Sequence, residues 1–177
     1  MTAKLNRREC IYQGRAFHVF RDNITLENGS TVNMDVVRHP GAAAMVAITA
    51  DNNTILMLKQ YRYVVGGYIW EIPAGTLDPG EAPLDCAKRE LIEETGMNAA
   101  SWKKLGDITP APGYTDERIH LYLARDLMPA SQKLDRNEIL DVHRIDFDAA
   151  MEMIRSGRIA DAKTITGIYL VKDLLNL

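Results

Sequence analysis

The sequence predicts a layered α/β sandwich built from mixed strands and late helices. Two apolar segments, 42–50 and 54–59, have the composition of central strands and are joined by the turn-forming residues Asp51-Asn52-Asn53. Two later segments, 147–156 and 163–175, carry apolar residues at helical spacing. Further strands are predicted at 68–72, 101–108, 118–125 and 139–145. Strands followed by helices favour helix layers packed on a mixed sheet.

The amino-terminal segment predicts a small antiparallel sheet of three strands, at 10–13, 16–26 and 31–38. Turn-forming residues separate them, and His39-Pro40-Gly41 marks a boundary. We therefore expect an arm at residues 1–40 and a main domain at 41–177. Because about forty residues bury little apolar surface, the arm must pack on the main domain or on a second subunit.

Composition limits the functions that the chain can have. At 177 residues and 46% apolar content it can bury one good core. A net charge of −3 offers no broad basic field, so we expect no nucleic-acid partner. The sequence shows no apolar run of signal-peptide or membrane-spanning length, and its two cysteines have no CxxC spacing. These features predict a cytoplasmic protein without a membrane partner.

Glutamates cluster on one predicted helix between Gly75 and Met97. The helix should begin near Ala82, and Gly96 is the residue type expected at its left-handed end. At about 100° per residue, Glu90, Glu93 and Glu94 fall within one arc, beside an apolar stripe of Leu84, Ala87 and Leu91. The carboxylates therefore lie on the shoulder of the buried face.

Three clustered carboxylates that are partly shielded from water either take up protons or bind a cation. Oxygen-only ligands suit Mg²⁺, with Mn²⁺ as an alternative. The competing interpretation is a solvated acidic face in which Arg89 and Glu93 form an i,i+4 ion pair.

The spacing of this segment resembles the complete Nudix hydrolase signature: glycine, five residues, Glu81, seven residues, Arg89-Glu90, Leu91, one residue, Glu93-Glu94, one residue, Gly96. The resemblance implies an α/β/α sandwich with a mixed sheet. It also implies roles for the residues in the signature. Glu90 and Glu94 would be the principal metal ligands, with Glu93 and the Ala74 carbonyl as further ligands, and Gly75, Glu81 and Arg89 would support the site.

Segments outside the signature resemble the ADP-ribose pyrophosphatase branch of this family. The loop from Pro110 to Arg118 includes Pro112, fifteen residues beyond Met97, and the resemblance implies that Glu117 contacts the substrate sugar. A glutamate in a later loop acts as the base in that branch. We expect Glu138 in this role, with Asp135 and Glu93 as competitors.

One basic and one aromatic residue complete the expected substrate site. Arg62, in Lys59-Gln60-Tyr61-Arg62, matches an arginine that reaches a phosphate in the same branch, although a solvated arginine at a strand end is an equal alternative. Trp70 could stack on an adenine; the alternative is that it packs in the core.

The resemblance implies Mg²⁺-dependent hydrolysis of a small-molecule nucleoside diphosphate derivative, with ADP-ribose cleaved to AMP and ribose 5-phosphate. GDP-mannose or another nucleotide sugar is the alternative substrate, and a non-catalytic module that senses ADP-ribose is a third possibility. The same branch exchanges its amino-terminal sheet between subunits, which predicts a homodimer with a swapped arm.

Overall fold

The computed structural model of the chain describes residues 3–134 and 138–177. Ten strands and three α-helices occur in these residues, and the expected α/β/α arrangement is confirmed. In chain order the elements are β1 (Lys4–Gln13), β2 (His18–Thr25), β3 (Thr31–Arg38), β4 (Ala42–Ala47), β5 (Thr54–Arg62), β6 (Gly67–Glu71), β7 (Ala74–Thr76), α1 (Pro83–Thr95), β8 (Met97–Ile108), β9 (Ile119–Pro129), β10 (Leu140–Asp146), α2 (Phe147–Arg155) and α3 (Ala162–Leu175). Within the described residues, no helix is both long and apolar enough to cross a membrane.

The strands form three sheets. The amino-terminal sheet has the antiparallel order β1-β2-β3, a second sheet has the order β10-β5-β6, and the central sheet has the order β7-β4-β9-β8. The pairing of β4 with β9 is parallel, whereas β7 and β8 pair antiparallel with their neighbours, so the central sheet is mixed.

Strand β4 explains why helices cover both faces of the central sheet. All six of its residues are buried. Ala43 and Met45 pack with Leu91 of α1, whereas Val46 packs with Ile168 of α3 in a separate core cluster. Because side chains alternate between the two faces of a strand, a strand buried on both faces must be apolar throughout.

The first strand is longer than predicted, since it begins at Lys4 rather than at residue 10. Apart from Leu5, its early half is polar and lacks an alternating apolar pattern. Cross-strand hydrogen bonds hold it instead: the Asn6 amide donates to Thr25 Oγ1 at 2.8 Å, and Arg8 Nη2 donates to Asp22 Oδ2 at 2.7 Å. Pairing by polar side chains leaves no periodic signal for sequence analysis to detect.

Two further boundaries differ from the prediction. β8 begins at Met97, directly after Gly96, and the three-residue strand β7 was not predicted at all. Each segment contains or follows a glycine, which is typical of loops, but pairing with β9 and β4 respectively overrides this local preference.

The arm is fixed to the main domain through the end of β3. The Val37 backbone N–H donates to the Tyr114 carbonyl at 2.7 Å, and Arg38 Nη1 donates to Asp116 Oδ2 at 2.9 Å. All ten residues of β1 remain exposed on the far side of this sheet. The division into domains at residue 40 stays a prediction.

Candidate active site

Helix α1 carries the signature glutamates and ends where the sequence predicts. Pro83 occupies its first turn, and Gly96 closes it with a φ of 67°. The left-handed conformation is easily reached by glycine because it has no Cβ. Leu91 and Ala87 anchor one side of the helix in the core, and this fixes the direction in which the neighbouring carboxylates point.

The carboxylates of Glu90 and Glu94 meet the main chain of β7. Glu94 is only 2% exposed, and its Oε2 accepts a hydrogen bond from the Ala74 backbone N–H at 2.9 Å. The carboxylate of Glu90 fills the space that a Cβ on residue 75 would need, so a side chain at this position would displace Glu90. Both glutamates therefore lie against the segment that the family signature begins with.

Burial changes the proton affinity of both groups. It raises the pKa of Glu90, and it raises the pKa of Glu94 well above the ordinary value, with the neighbouring Glu90 and Glu138 adding repulsion. Two buried carboxylates that repel each other are costly to ionise unless a cation compensates.

Arg89 organises three of the glutamates. Its Nε and Nη2 bind the two oxygens of Glu81 at 2.8 and 2.9 Å, and its Nη1 contacts Glu90 at 2.6 Å and Glu93 at 3.0 Å. The guanidinium lowers the pKa of Glu81 to about 2. The i,i+4 ion pair of Arg89 with Glu93 thus exists, but as one part of a larger cluster and not on a solvated face.

A cleft of about 310 Å³ lies in front of these groups. The residues that line it are Arg15, Gln60, Arg62, Ala74, Gly75, Thr76, Asp78, Arg89, Glu90, Glu94 and Glu138. Glu138, the expected base, therefore faces the same space as the expected metal ligands. Asp135, its competitor, lies outside the described residues.

Arg62 lies in the cleft wall, but carboxylate contacts hold it. Its Nε and Nη2 bind Oε2 of the buried Glu71 at 2.9 and 2.7 Å. Glu71 also accepts a hydrogen bond from Lys163 at 2.8 Å. This network was not predictable from the sequence, since Glu71 and Lys163 are 92 residues apart and only the fold brings them together.

Three predicted substrate residues lie elsewhere. Trp70 packs against the core, with its ring centroid 4.9 Å from that of His143, and does not line the cleft. Pro112 is exposed in the loop before β9 and also lies outside the cleft lining. Glu117 is half-buried, with Oε1 3.7 Å from Nδ1 of His39.

The donor chemistry of the cleft fits a divalent cation. Glu90, Glu94 and Ala74 line the cleft, whereas Glu93 lies on the same helix outside that lining. The atoms that the three glutamates and the Ala74 carbonyl could offer are all oxygens, the ligand type that Mg²⁺ requires. As the side chains stand, no group of three acidic, imidazole or thiol side chains among the described residues converges on one point. Oε1 of Glu90 instead accepts a hydrogen bond from Arg89.

Comparison with known proteins agrees with the architecture. The NUDIX domain family model matches residues 38–166. A protein named methanol dehydrogenase activator, from Bacillus methanolicus, is 40% identical over 171 residues, covering 96% of this chain and 92% of that protein. An ADP-ribose pyrophosphatase from Bacillus subtilis strain 168 is 37% identical over 167 residues, covering 93% and 90%.

A solved structure described as an ADP compounds hydrolase has the same fold. It superposes with a TM-score of 0.86 at 23% identity, over 99% of this chain and 95% of that one. With the family match and the two relatives, this confirms the resemblance that the signature indicated. The chain belongs to the Nudix family.

Proposed function

We propose that this protein hydrolyses the diphosphate bond of a nucleoside diphosphate derivative, with ADP-ribose as the preferred substrate and AMP and ribose 5-phosphate as products. The observation that carries the proposal is the pair of buried carboxylates, Glu90 and Glu94, packed against Ala74 and Gly75 at the base of a cleft. The likeness to the ADP-ribose pyrophosphatase from Bacillus subtilis supports the choice of substrate.

Glu90 and Glu94 would hold Mg²⁺, or Mn²⁺ in its place, with Glu93 and the Ala74 carbonyl as further oxygen donors. When bound, such an ion offsets charge that develops on the phosphoryl oxygens and lowers the pKa of the attacking water.

The remaining residues of the cleft would orient the reactants. Glu138 accepts the proton of the attacking water, because it lines the same cleft as the ligand carboxylates. Arg89 holds Glu81, Glu90 and Glu93 in register. Arg62, whose orientation is fixed by its contact with Glu71, donates its remaining N–H groups to a phosphate oxygen.

A panel of substrates tests this function. ADP-ribose, GDP-mannose, a dinucleoside polyphosphate and oxidised dGTP are each incubated with the protein and Mg²⁺, and released mononucleotide is measured. We expect the highest kcat/KM on ADP-ribose. A higher value on GDP-mannose would replace the substrate but not the reaction, whereas tight ADP-ribose binding without cleavage would indicate a sensing module.

The likeness to the methanol dehydrogenase activator favours a second candidate, stimulation of another enzyme. Purified methanol dehydrogenase is assayed with wild-type protein and with Glu94→Gln. Stimulation by the wild type alone would tie the effect to hydrolysis, and equal stimulation by both would point to direct contact.

The swapped homodimer and the cytoplasmic location belong to the same proposal. The exposed apolar side chains of β1, Leu5, Ile11 and Tyr12, support a subunit interface on the arm. We expect the protein to sediment as a dimer in analytical ultracentrifugation. Deletion of residues 1–38 should give an insoluble or inactive protein. A fully active monomer after this deletion would refute the dimer.

A further inference from the structure

Lys163 lies in the first turn of α3, a position that disfavours a cation. The helix begins at Ala162, and the positive end of its dipole repels a positive side chain there. The side chain of Lys163 is nevertheless only 11% exposed. Its Nζ contacts Oε1 of Glu71 at 2.8 Å and Oδ2 of Asp161 at 3.1 Å. Two carboxylates therefore offset a charge that the helix itself disfavours.

The same network also holds the main chain next to Glu71. Asp161 Oδ2 accepts hydrogen bonds from the backbone N–H of Thr164 at 3.0 Å and from its hydroxyl at 2.6 Å. The Thr164 hydroxyl oxygen in turn accepts a hydrogen bond from the Ile72 backbone N–H at 2.9 Å. Ile72 directly follows Glu71, the last residue of β6. The start of α3 thus fixes both the carboxylate of Glu71 and the backbone beside it.

Glu71 divides its two oxygens between two cations. Oε1 accepts a hydrogen bond from Lys163, whereas Oε2 binds Nε and Nη2 of Arg62. Neither contact to Oε2 uses Nη1 of Arg62. A guanidinium binds a carboxylate most strongly when it contacts both oxygens. Because Lys163 occupies Oε1, Arg62 is bound to one oxygen only, and it retains N–H groups for the cleft that it lines.

The charges of this network also balance only when Lys163 is included. Glu71 is 5% exposed, so its charge is poorly screened by water. Without Lys163, the negative charges of Glu71 and Asp161 would be opposed by Arg62 alone. The attraction between Arg62 and a phosphate group in the cleft would then be weaker.

We propose that Lys163 is a positioning residue for Arg62: it holds Oε1 of Glu71 and offsets its charge, so that the guanidinium of Arg62 stays directed at the cleft and binds the diphosphate of the substrate. The proposal rests on the proposed function, which gives Arg62 its phosphate contact. It extends that function to a residue on α3 that is not among the described residues lining the cleft.

The first test compares Lys163→Gln with Lys172→Gln, the same change in the last turn of the same helix. Lys163→Gln removes the charge but keeps an N–H donor. We expect it to raise KM for ADP-ribose roughly tenfold, with kcat changed much less, because the phosphate contact of Arg62 is weakened in the ground state and the transition state alike. Lys163→Arg should recover part of the loss. Equal KM values for Lys163→Gln and Lys172→Gln would overturn the proposal.

A positioning role differs from a purely structural role in its dependence on Arg62. In an Arg62→Ala background, Lys163→Gln should raise KM by less than about twofold, because the side chain through which it acts is absent. Thermal unfolding of each variant measures stability separately. Lys163→Met, which retains the aliphatic stem, replaces Lys163→Gln if the latter does not fold. An increase in KM as large in Arg62→Ala as in wild type would show that Lys163 only supports the fold, and would overturn the proposal.

Calorimetric titration with inorganic diphosphate in the presence of Mg²⁺ measures the phosphate contact without a nucleoside or turnover. Binding should be about tenfold weaker in Lys163→Gln than in Lys172→Gln. Equal affinities in these two variants would overturn the positioning role. If the affinities differ as expected but the wild type cleaves nothing in the substrate panel, the positioning role stands and only the proposed function is overturned.

Discussion

The carboxylate of Glu90 occupies the space in which any side chain on residue 75 would begin, so Gly75 and Glu90 are packed as a unit. The contact joins β7, at the edge of the central sheet, to the middle of α1. The position of an expected metal ligand thus depends on the absence of one carbon atom.

Gly75→Ala should therefore displace Glu90 and lower kcat by about 100-fold, the loss associated with a shift of roughly 1 Å in a catalytic group. Gly67→Ala is the control, because a Cβ there meets nothing within 4 Å and the backbone is not left-handed. Steady-state kinetics on ADP-ribose measures both. An unchanged kcat in Gly75→Ala would contradict the requirement for this close packing.

Glu94→Gln should separate folding from catalysis. Because burial raises the pKa of Glu94 well above 4.5, the folded metal-free protein loses stability as the pH rises above that value. Glutamine carries no charge and can still accept the Ala74 hydrogen bond. We expect metal-free Glu94→Gln to unfold at a higher temperature than wild type at pH 8, with the difference shrinking toward pH 4.5.

The same variant should lose activity by several orders of magnitude, and Mg²⁺ should no longer raise its unfolding temperature. Thermal unfolding with EDTA or with excess Mg²⁺ measures both effects. Wild-type activity in Glu94→Gln would remove Glu94 from the set of metal ligands.

Glu81 should contribute to stability with the opposite dependence on pH. Contact with Arg89 lowers its pKa to about 2 from 4.5, so its contribution is present above pH 4.5 and is lost as the pH falls toward 2. Glu81→Gln should lower the free energy of unfolding at pH 7 by about 2 kcal/mol, given the partial exposure of Arg89. Denaturant unfolding at pH 7 and pH 3 measures this free energy, with Glu27→Gln at an exposed position as the control. If wild type and Glu81→Gln differed in unfolding free energy by the same amount at both pH values, the ionic origin of the contribution would be refuted.

Cys86 should be unreactive in the folded protein. Burial raises the pKa of its thiol to about 12, with Glu81 and Glu90 adding repulsion, so almost no thiolate is present at neutral pH. In a Cys10→Ala background, a maleimide should label the protein only after denaturation. Rapid labelling of the native protein would mean that the interior beneath α1 opens readily.

The parts of this protein that local sequence patterns encode were predictable. The span of α1 follows from Pro83, Gly96 and the apolar stripe between them, and this span alone brings Glu90 and Glu94 to one side of the helix. The central strands were predictable because β4 is apolar throughout and β5 has a run of four buried apolar residues near its start, Ile55 to Leu58.

The parts that the sequence did not predict depend on contacts between distant residues. The early half of β1 is held by polar pairs such as Arg8 with Asp22, and β7 exists because Ala74 pairs with Ala44. Arg15 enters the cleft only through the placement of the arm, which the contact of Arg38 with Asp116 fixes. The turn residues Gln13-Gly14 predicted where the loop that carries Arg15 lies in the sequence, but not that it would reach the cleft.

The most direct measurement of the central claim is calorimetric titration of Mn²⁺ or Mg²⁺ into the protein, with and without a non-cleavable ADP-ribose analogue. Wild-type protein should take up the ion, with higher affinity when the analogue is bound, and Glu94→Gln should show no comparable uptake. Absence of uptake by the wild type under both conditions would contradict a metal-dependent diphosphate hydrolase built on Glu90 and Glu94.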